Sequence, residues 1–246
     1  MSIWGKIVGG VGGFAIGGPI GALIGALGGH VVDKLRSEEE MRSRAGADAT
    51  KSVAFTIGVI ALGAKMAKAD GVVTDDEVRA FKQVFHIPQH EVKNVARVFN
   101  QARKDARGFE PYAQQMADMF RNEPQVLEEL LYCLTHIAMA DGSMHPQELE
   151  YLQKVAQIFG FDAATFERVT GRSPAGDKAD PYTILGVSPN ADDAAIKAAH
   201  RKLVLEHHPD RLVSQGMPEE FVDMANEKLA EINAAYDAIK KQRGIN

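Results

Sequence analysis

From Ile7 to Gly29 the chain carries no charged side chain. As a helix rising about 1.5 Å per residue, that stretch reaches about 35 Å, enough to cross a hydrocarbon layer of about 30 Å. A backbone placed there has to be helical, because no water is present to satisfy its amides. Trp4 stands just before the stretch, where an interfacial aromatic belongs, with Lys6 beside it. Lys34, Arg36, Arg42, Arg44 and Lys51 all follow it. The excess of Lys and Arg on the far side puts residues 1–6 outside, makes 7–32 a single transmembrane helix, and leaves the bulk of the chain in the cytoplasm. Two other readings of so glycine-rich a stretch are a cleaved signal peptide and a flexible leader. Against cleavage, the leading segment is barely basic and the apolar run is long.

Glycines recur at every fourth position, Gly5, Gly9, Gly13, Gly17, Gly21, Gly25 and Gly29. On a helix that spacing makes a stripe of small residues on which a second backbone can lie closely. The stripe drifts by about 40° per step, which favours a right-handed crossing and confines any one seam to part of it. Gly9, Gly13, Gly17, Gly21 and Gly25 are therefore the expected contacts of a homodimer formed through this helix. Pro19 is tolerable in a membrane helix, where it can introduce a kink.

Residues 33–48 form a charged connector containing Glu38, Glu39 and Glu40. Beyond it, Ser52 to Ala64 is free of charge but too short to span a bilayer, so it is expected to be a buried helix. It leads to Ala69-Asp70-Gly71, and a second apolar run, Val126 to Ala140, leads to Ala140-Asp141-Gly142. The two segments align, with Thr74 on His145 and Glu77 on Glu148, and describe a duplicated unit of helix, Asp-Gly turn and helix. Gly71 and Gly142 end one helix; Thr74 with Glu77 caps the next, and Pro146 opens its counterpart. Apolar faces follow in both copies: Val78, Phe81, Val84 and Phe85 in one, Leu149, Leu152, Val155 and Phe159 in the other.

Asp70 with Glu77, and Asp141 with Glu148, have a second reading as carboxylates gathered around a divalent ion. Their spacing lacks the intervening oxygen ligands of an EF-hand loop, so no metal site is expected. His86 and His90 flank Pro88, which breaks their helical register, and they have no acidic or Cys partner at ligand spacing. The one cysteine, Cys133, permits no internal disulfide and reads as a small core residue in a reducing compartment. A net charge of −5 disfavours a nucleic-acid partner. The chain has no phosphate-binding glycine loop, nucleophile elbow or zinc motif, so no enzyme activity and no cofactor are expected.

After a linker at 172–179, the segment 180–246 opens on a short helix, Tyr182 to Gly186. A longer helix from Asp192 to His207 follows, with Ile196, Ala199, Leu203 and His207 at helical spacing. Lys197, Arg201 and Lys202 make a basic strip on its other side. Pro209 ends that helix at or before His208, and a loop is expected through Gly216. Pro218, Glu219 and Glu220 open a last helix striped by Phe221, Met224 or Ala225, Lys228 or Leu229, Ile232, Ala235 or Tyr236, and Ile239.

His208-Pro209-Asp210 between a basic helix and an apolar-striped one resembles the J-domain of DnaJ-type co-chaperones, over Asp180 to Gly244. The duplicated Ala-Asp-Gly unit, at 49–171, looks like the TerB family of tellurite-resistance proteins. Anchor, TerB-like part and J-domain in that order resemble membrane-anchored DnaJ-like co-chaperones, as do Trp4-Gly5-Lys6-Ile7 and the junction from Gly29-His30 to Asp33-Lys34. The resemblance implies an all-α protein of the bacterial inner membrane: a single transmembrane helix, a TerB-like helical bundle with internal duplication, and a C-terminal J-domain. It also implies docking on a DnaK-type chaperone and stimulation of that partner's ATPase. His208, Pro209 and Asp210 would be the trigger, and Lys197, Arg201, Lys202 and Arg211 would steer the encounter. The alternative is a membrane scaffold or stress-signalling adaptor acting mainly through the TerB-like part. Two departures stand out: His200 where relatives usually carry an aromatic residue, and Glu206-His207 where they often have Lys-Tyr.

Overall fold

The computed structural model describes residues 17–27, 44–69, 92–105, 108–140, 142–172 and 179–244. Gly9, Gly13, Asp70, Gly71, Thr74, Glu77, His86, His90 and Asp141 lie outside the described residues, as does most of the linker. Among the described residues the fold is built of helices, with no strand.

The first helix, α1, is Gly18–Leu27. Gly17 and Gly18 both have left-handed φ, 57° and 60°, a conformation that favours glycine, and Pro19 follows at the start of the helix. Ile20, Leu23 and Ile24 are buried, and Ala22 and Gly25 are exposed. The Gln115 side chain secures the start of α1: its amide donates to Gly17 O at 3.0 Å, and its Oε1 accepts from Ile20 N at 2.9 Å. The expected five-glycine stripe is therefore not one open helical seam over the part described. Gly17 precedes the helix, Gly21 is buried, and Gly25 is exposed.

α2 spans Arg44–Ala69, beginning inside the connector expected at 33–48. Every residue from Val53 to Ala67 is buried. A helix apolar on all sides is stable in water only at the centre of a fold. By length and composition the window Thr50–Ala67 could also cross a membrane, but its burial inside the protein identifies a core helix, as expected for Ser52 to Ala64. Around it pack α3 (Val92–Lys104), α4 (Glu110–Met119), α5 (Pro124–Ala138) and α6 (Pro146–Ile158). At Gly58 a Cβ would sit 2.5 Å from Met116 Sδ, so glycine sets how closely α2 and α4 cross. Tyr151 on α6 donates to Leu62 O at 2.8 Å, satisfying a hydroxyl that burial would otherwise strand.

The second copy of the repeat is described apart from Asp141. After α5, Gly142 adopts φ 88° and donates to Met139 O. His145 and Pro146 then start α6, and Glu148 Oε2 accepts from His145 N at 2.9 Å. Glu148 thus caps the helix. α7 (Ala163–Thr170) is capped by Asp162, which accepts from Thr165 N, and ends on left-handed Gly171.

In the C-terminal domain, Asp180 caps α8 (Pro181–Leu185), and Gly186 ends it with φ 65°. Asp192 caps α9 (Asp193–Glu206). α10 (Pro209–Ser214) and a 3₁₀ turn, Glu219–Phe221, lead into α11 (Val222–Arg243). Leu185, Ile196, Leu203, Ile232, Ala235 and Ile239 form this domain's own core. Arg243, at the end of α11, donates to Pro189 O, Ala191 O and Tyr182 Oη and so ties down the turn between α8 and α9.

The two helical domains share one further core. Leu212, Met217, Phe221, Met224 and Ala225 are buried in the same cluster as Phe55, Phe120 and Leu127. The Phe221 ring meets Phe55 edge-on at 5.0 Å. Gly216, at φ 106°, lies so near Lys51 that a Cβ would approach its Cβ to 2.7 Å.

Candidate functional site

The geometry around His208-Pro209-Asp210 follows from proline chemistry. The residue before a proline is pushed to extended conformation, and His208 has φ −65°, ψ 129°. That stops α9 at Glu206, with His207 as its C-cap. The loop expected from Pro209 to Gly216 is instead mostly α10. Proline lacks the amide that the first helical position would leave unpaired, so the residue that ends one helix starts the next. His208 caps α10, its Nδ1 accepting from Asp210 N at 3.2 Å. In neutral His208 the proton therefore sits on Nε2, a donor facing outside this cap.

Pro209 is buried, but the His208 side chain is 53% exposed and that of Asp210 is 95% exposed. Lys197, Arg201, Lys202 and Arg211 are all exposed. Arg201 and Lys202 stand beside Leu205, which is 60% exposed and the one large apolar side chain left open among the described residues. His208, Asp210 and the basic strip thus all face solvent. Glu206, 4.0 Å from Lys202, is positioned to offset part of that positive charge.

The two departures acquire roles. His200 stacks flat on Tyr236, ring centroids 4.1 Å apart, and its Nε2 is 2.8 Å from Asn233 Oδ1, so it joins α9 to α11 as an aromatic would. His207 is fully buried between domains. Its Nδ1 is 2.7 Å from Glu129 Oε1 and its Nε2 3.2 Å from Glu128 Oε2. Arg168 from α7 grips Glu128 with two hydrogen bonds, 2.9 and 2.7 Å. Lys228 from α11 lies 3.5 Å from Glu129 and 5.4 Å from the Tyr132 ring centroid. Burial would raise the Glu128 pKa, but the His207 ring beside it, the two hydrogen bonds from Arg168 and the charges of Lys228 and Arg168 hold it far below the usual carboxylate range. Burial pushes the Cys133 thiol up, consistent with a core residue.

Sequence reasoning did not single out Glu128, Glu129 or Arg168. A signal was present: two adjacent carboxylates inside the apolar run Val126 to Ala140, and a lysine on the stripe of α11. Of the four carboxylates weighed as metal ligands, Glu148 is occupied in its cap. Among the described residues, no group of three or more His, Cys, Asp and Glu side chains could hold a metal ion. A cleft of about 260 Å³ between α6 and α7 is lined by Ala156, Phe161, Phe166 and Asp162, whose carboxylate is engaged in capping.

A basic helix, a His-Pro-Asp turn and an apolar return helix closed by a short leading one define a J-domain. The comparisons agree: a family model described as DnaJ domain matches residues 180–244. Two others, Tellurite resistance protein TerB and Co-chaperone DjlA transmembrane domain, match 56–171 and 1–49. The chain is 30% identical over 277 residues to the Co-chaperone protein DjlA of Photobacterium profundum, covering 99% of this chain and all of that protein. Against the proteins of the same name from Coxiella burnetii and Escherichia coli K12 the identities are 30% and 29%, over the full length of each chain. No solved structure matches it. The chain belongs to the DjlA family of membrane-anchored J-domain co-chaperones.

Proposed function

We propose that the protein stimulates ATP hydrolysis by a DnaK-type chaperone, acting as a regulator and not as an enzyme. His208, Pro209 and Asp210 are the trigger. Lys197, Arg201, Lys202 and Arg211 steer the encounter, since exposed charges act mainly on the association rate and its salt dependence. The observation that carries this reading is the combination of a buried Pro209 with exposed His208 and Asp210 beside an open basic strip. The backbone of the turn is fixed while its polar side chains face outward.

The remaining parts of the proposal concern placement. Residues 7–32 cross the bacterial inner membrane once, with 1–6 outside and 49–171 and 180–246 in the cytoplasm; on insertion α1 exchanges its packing on α3 and α4 for lipid. The anchor also pairs two copies, through the exposed side of α1 at Gly25. No nucleic acid is involved.

The test is single-turnover ATP hydrolysis by a DnaK-type chaperone, with the full chain in lipid nanodiscs and with its His208→Gln variant. Stimulation by the wild type that the variant loses supports the reading. No stimulation by the wild type, or equal stimulation by both, defeats it. If the variant loses stimulation yet keeps full biological activity, the adaptor role through the TerB-like domain takes its place.

A further inference from the structure

We infer that Glu128 and Glu129, on α5 of the TerB-like domain, are positioning residues for the J-domain trigger: they hold His207, the side chain immediately before it. The inference rests on the co-chaperone reading above, and the experiment below separates the two.

His207 occupies a mechanical junction. Its amide closes the last turn of α9, donating to Leu203 O at 2.9 Å, and the next residue caps α10. Where the His207 ring goes, the end of α9 and the start of α10 follow. That ring is clamped by the other domain, with Nδ1 in a 2.7 Å contact to Glu129 and Nε2 facing Glu128 at 3.2 Å, off the hydrogen-bond direction. Within the trigger and two residues after it, buried Pro209 and Leu212 anchor the backbone, Leu212 in the core shared with α2 and α5. The rear of the turn thus belongs to the TerB-like domain, and only its front belongs to a partner.

The cluster is made for position more than for stability. Glu129 Oε2, His207 Nε2 and Lys228 Nζ are all buried without a hydrogen bond. Groups desolvated in this way are costly, and an apolar contact of the same volume is often as stable or more so. Two carboxylates facing one imidazole, with Arg168 and Lys228 behind them, instead fix the ring in one orientation. Such a device acts on what the trigger does after docking. Capture of the partner falls to Lys197, Arg201 and Lys202 on the open side of α9, none of which touches the cluster.

The experiment uses the full chain in nanodiscs and two variants, Glu129→Gln, which keeps side-chain volume, and His207→Phe, which keeps a flat ring in place of the imidazole. Stimulated ATP hydrolysis is measured against co-chaperone concentration. Each variant should lower the maximal stimulation about three- to tenfold while the half-saturating concentration moves less than about twofold, and the double variant should be no worse than the poorer single one. Lys197→Ala should do the reverse, raising the half-saturating concentration. A merely structural role would not produce that split. Maximal stimulation unchanged in both variants, or additive losses in the double, overturns the inference. Hydrogen exchange of the Asp210 to Ser214 amides supplies a readout that needs no ATPase. It should quicken at least about tenfold in both variants, and exchange at the wild-type rate overturns the inference. Should the wild type fail to stimulate at all, the co-chaperone reading falls, and exchange alone decides whether Glu128 and Glu129 hold the turn. If either variant does not fold, judged by circular dichroism, Lys228→Met takes its place.

Discussion

Replacing Phe221 with alanine should free the segment between α9 and α11 while leaving both domains folded. Phe221 has no exposed surface, and its ring lies 5.0 Å from that of Phe55, which packs in turn on Phe120 at 6.2 Å. Truncating a buried phenylalanine costs about 3–5 kcal/mol, including the edge-on aromatic contact. At about 1.4 kcal/mol per factor of ten, the open population of the segment rises by about two to three and a half decades. Once undocked, α10 cannot persist, because six residues are far below the length at which an isolated helix holds together. Trypsin cutting after exposed Arg211 reports this opening, since cleavage tracks the open population when closing is fast. The cut should accelerate by at least about a hundredfold relative to the wild type, whereas Leu205→Ala, on the open face, should leave it unchanged within about threefold. A Phe221→Ala rate within about threefold of the wild type refutes the idea that docking on the TerB-like domain keeps this segment ordered.

Glu128 should make the pair of domains acid-labile. Its folded pKa lies below its ordinary value of 4.5, so its stabilisation is fully present above that value and is lost as pH falls through the folded one. Melting curves from pH 7 down to about pH 2 should therefore show Glu128→Gln already weakened at neutral pH and less sensitive to acid than the wild type; parallel curves for the two refute this. On α1, a Cβ at Gly25 would meet no described residue within 4 Å, so Gly25→Leu probes a contact outside the described fold. It should reduce self-association in a transmembrane reporter assay, and an undiminished signal rules out pairing through that face.

Periodicity carried the reading of α11 a long way. The stripe Phe221, Met224 or Ala225, Lys228 or Leu229, Ile232, Ala235 or Tyr236, and Ile239 is the buried side, with Met224 and Ala225 both enclosed. What a period of 3.6 cannot reveal is the partner. Phe221 to Ala225 face α2 and the rest of the TerB-like core, Lys228 faces the carboxylates of α5, and Ile232 to Ile239 face the J-domain's own helices. One stripe serves two domains, and nothing local marks the change. Pro209 illustrates a second limit. Its chemistry excludes the interior of a helix but fits the first position of one, so the same residue supported a loop in the sequence and begins α10 in the fold. His207 illustrates a third. An ionisable side chain on the helical stripe gives no indication of the charged residues waiting on another domain.

The division of the C-terminal core has a consequence for how a trigger is presented. A domain of this size buries a smaller fraction of its surface than a large one and is correspondingly marginal alone. Here its private core is six side chains, one of them an alanine. Leu212, Met217 and Phe221, which would otherwise burden its surface, complete the core of the neighbouring domain. A J-domain joined only by a linker would offer its His-Pro-Asp turn in any direction and with whatever mobility its own packing allowed. In this chain, α7 packs on α8, Arg168 reaches from Gly186 to Glu128, and α5 holds His207, so the turn inherits its direction from the TerB-like domain. Anything that shifts α5 or α7 is coupled to the trigger through packed side chains and a single buried charge cluster. With the positioning role proposed for Glu128 and Glu129, the TerB-like domain belongs to the J-domain's mechanism as well as being its spacer.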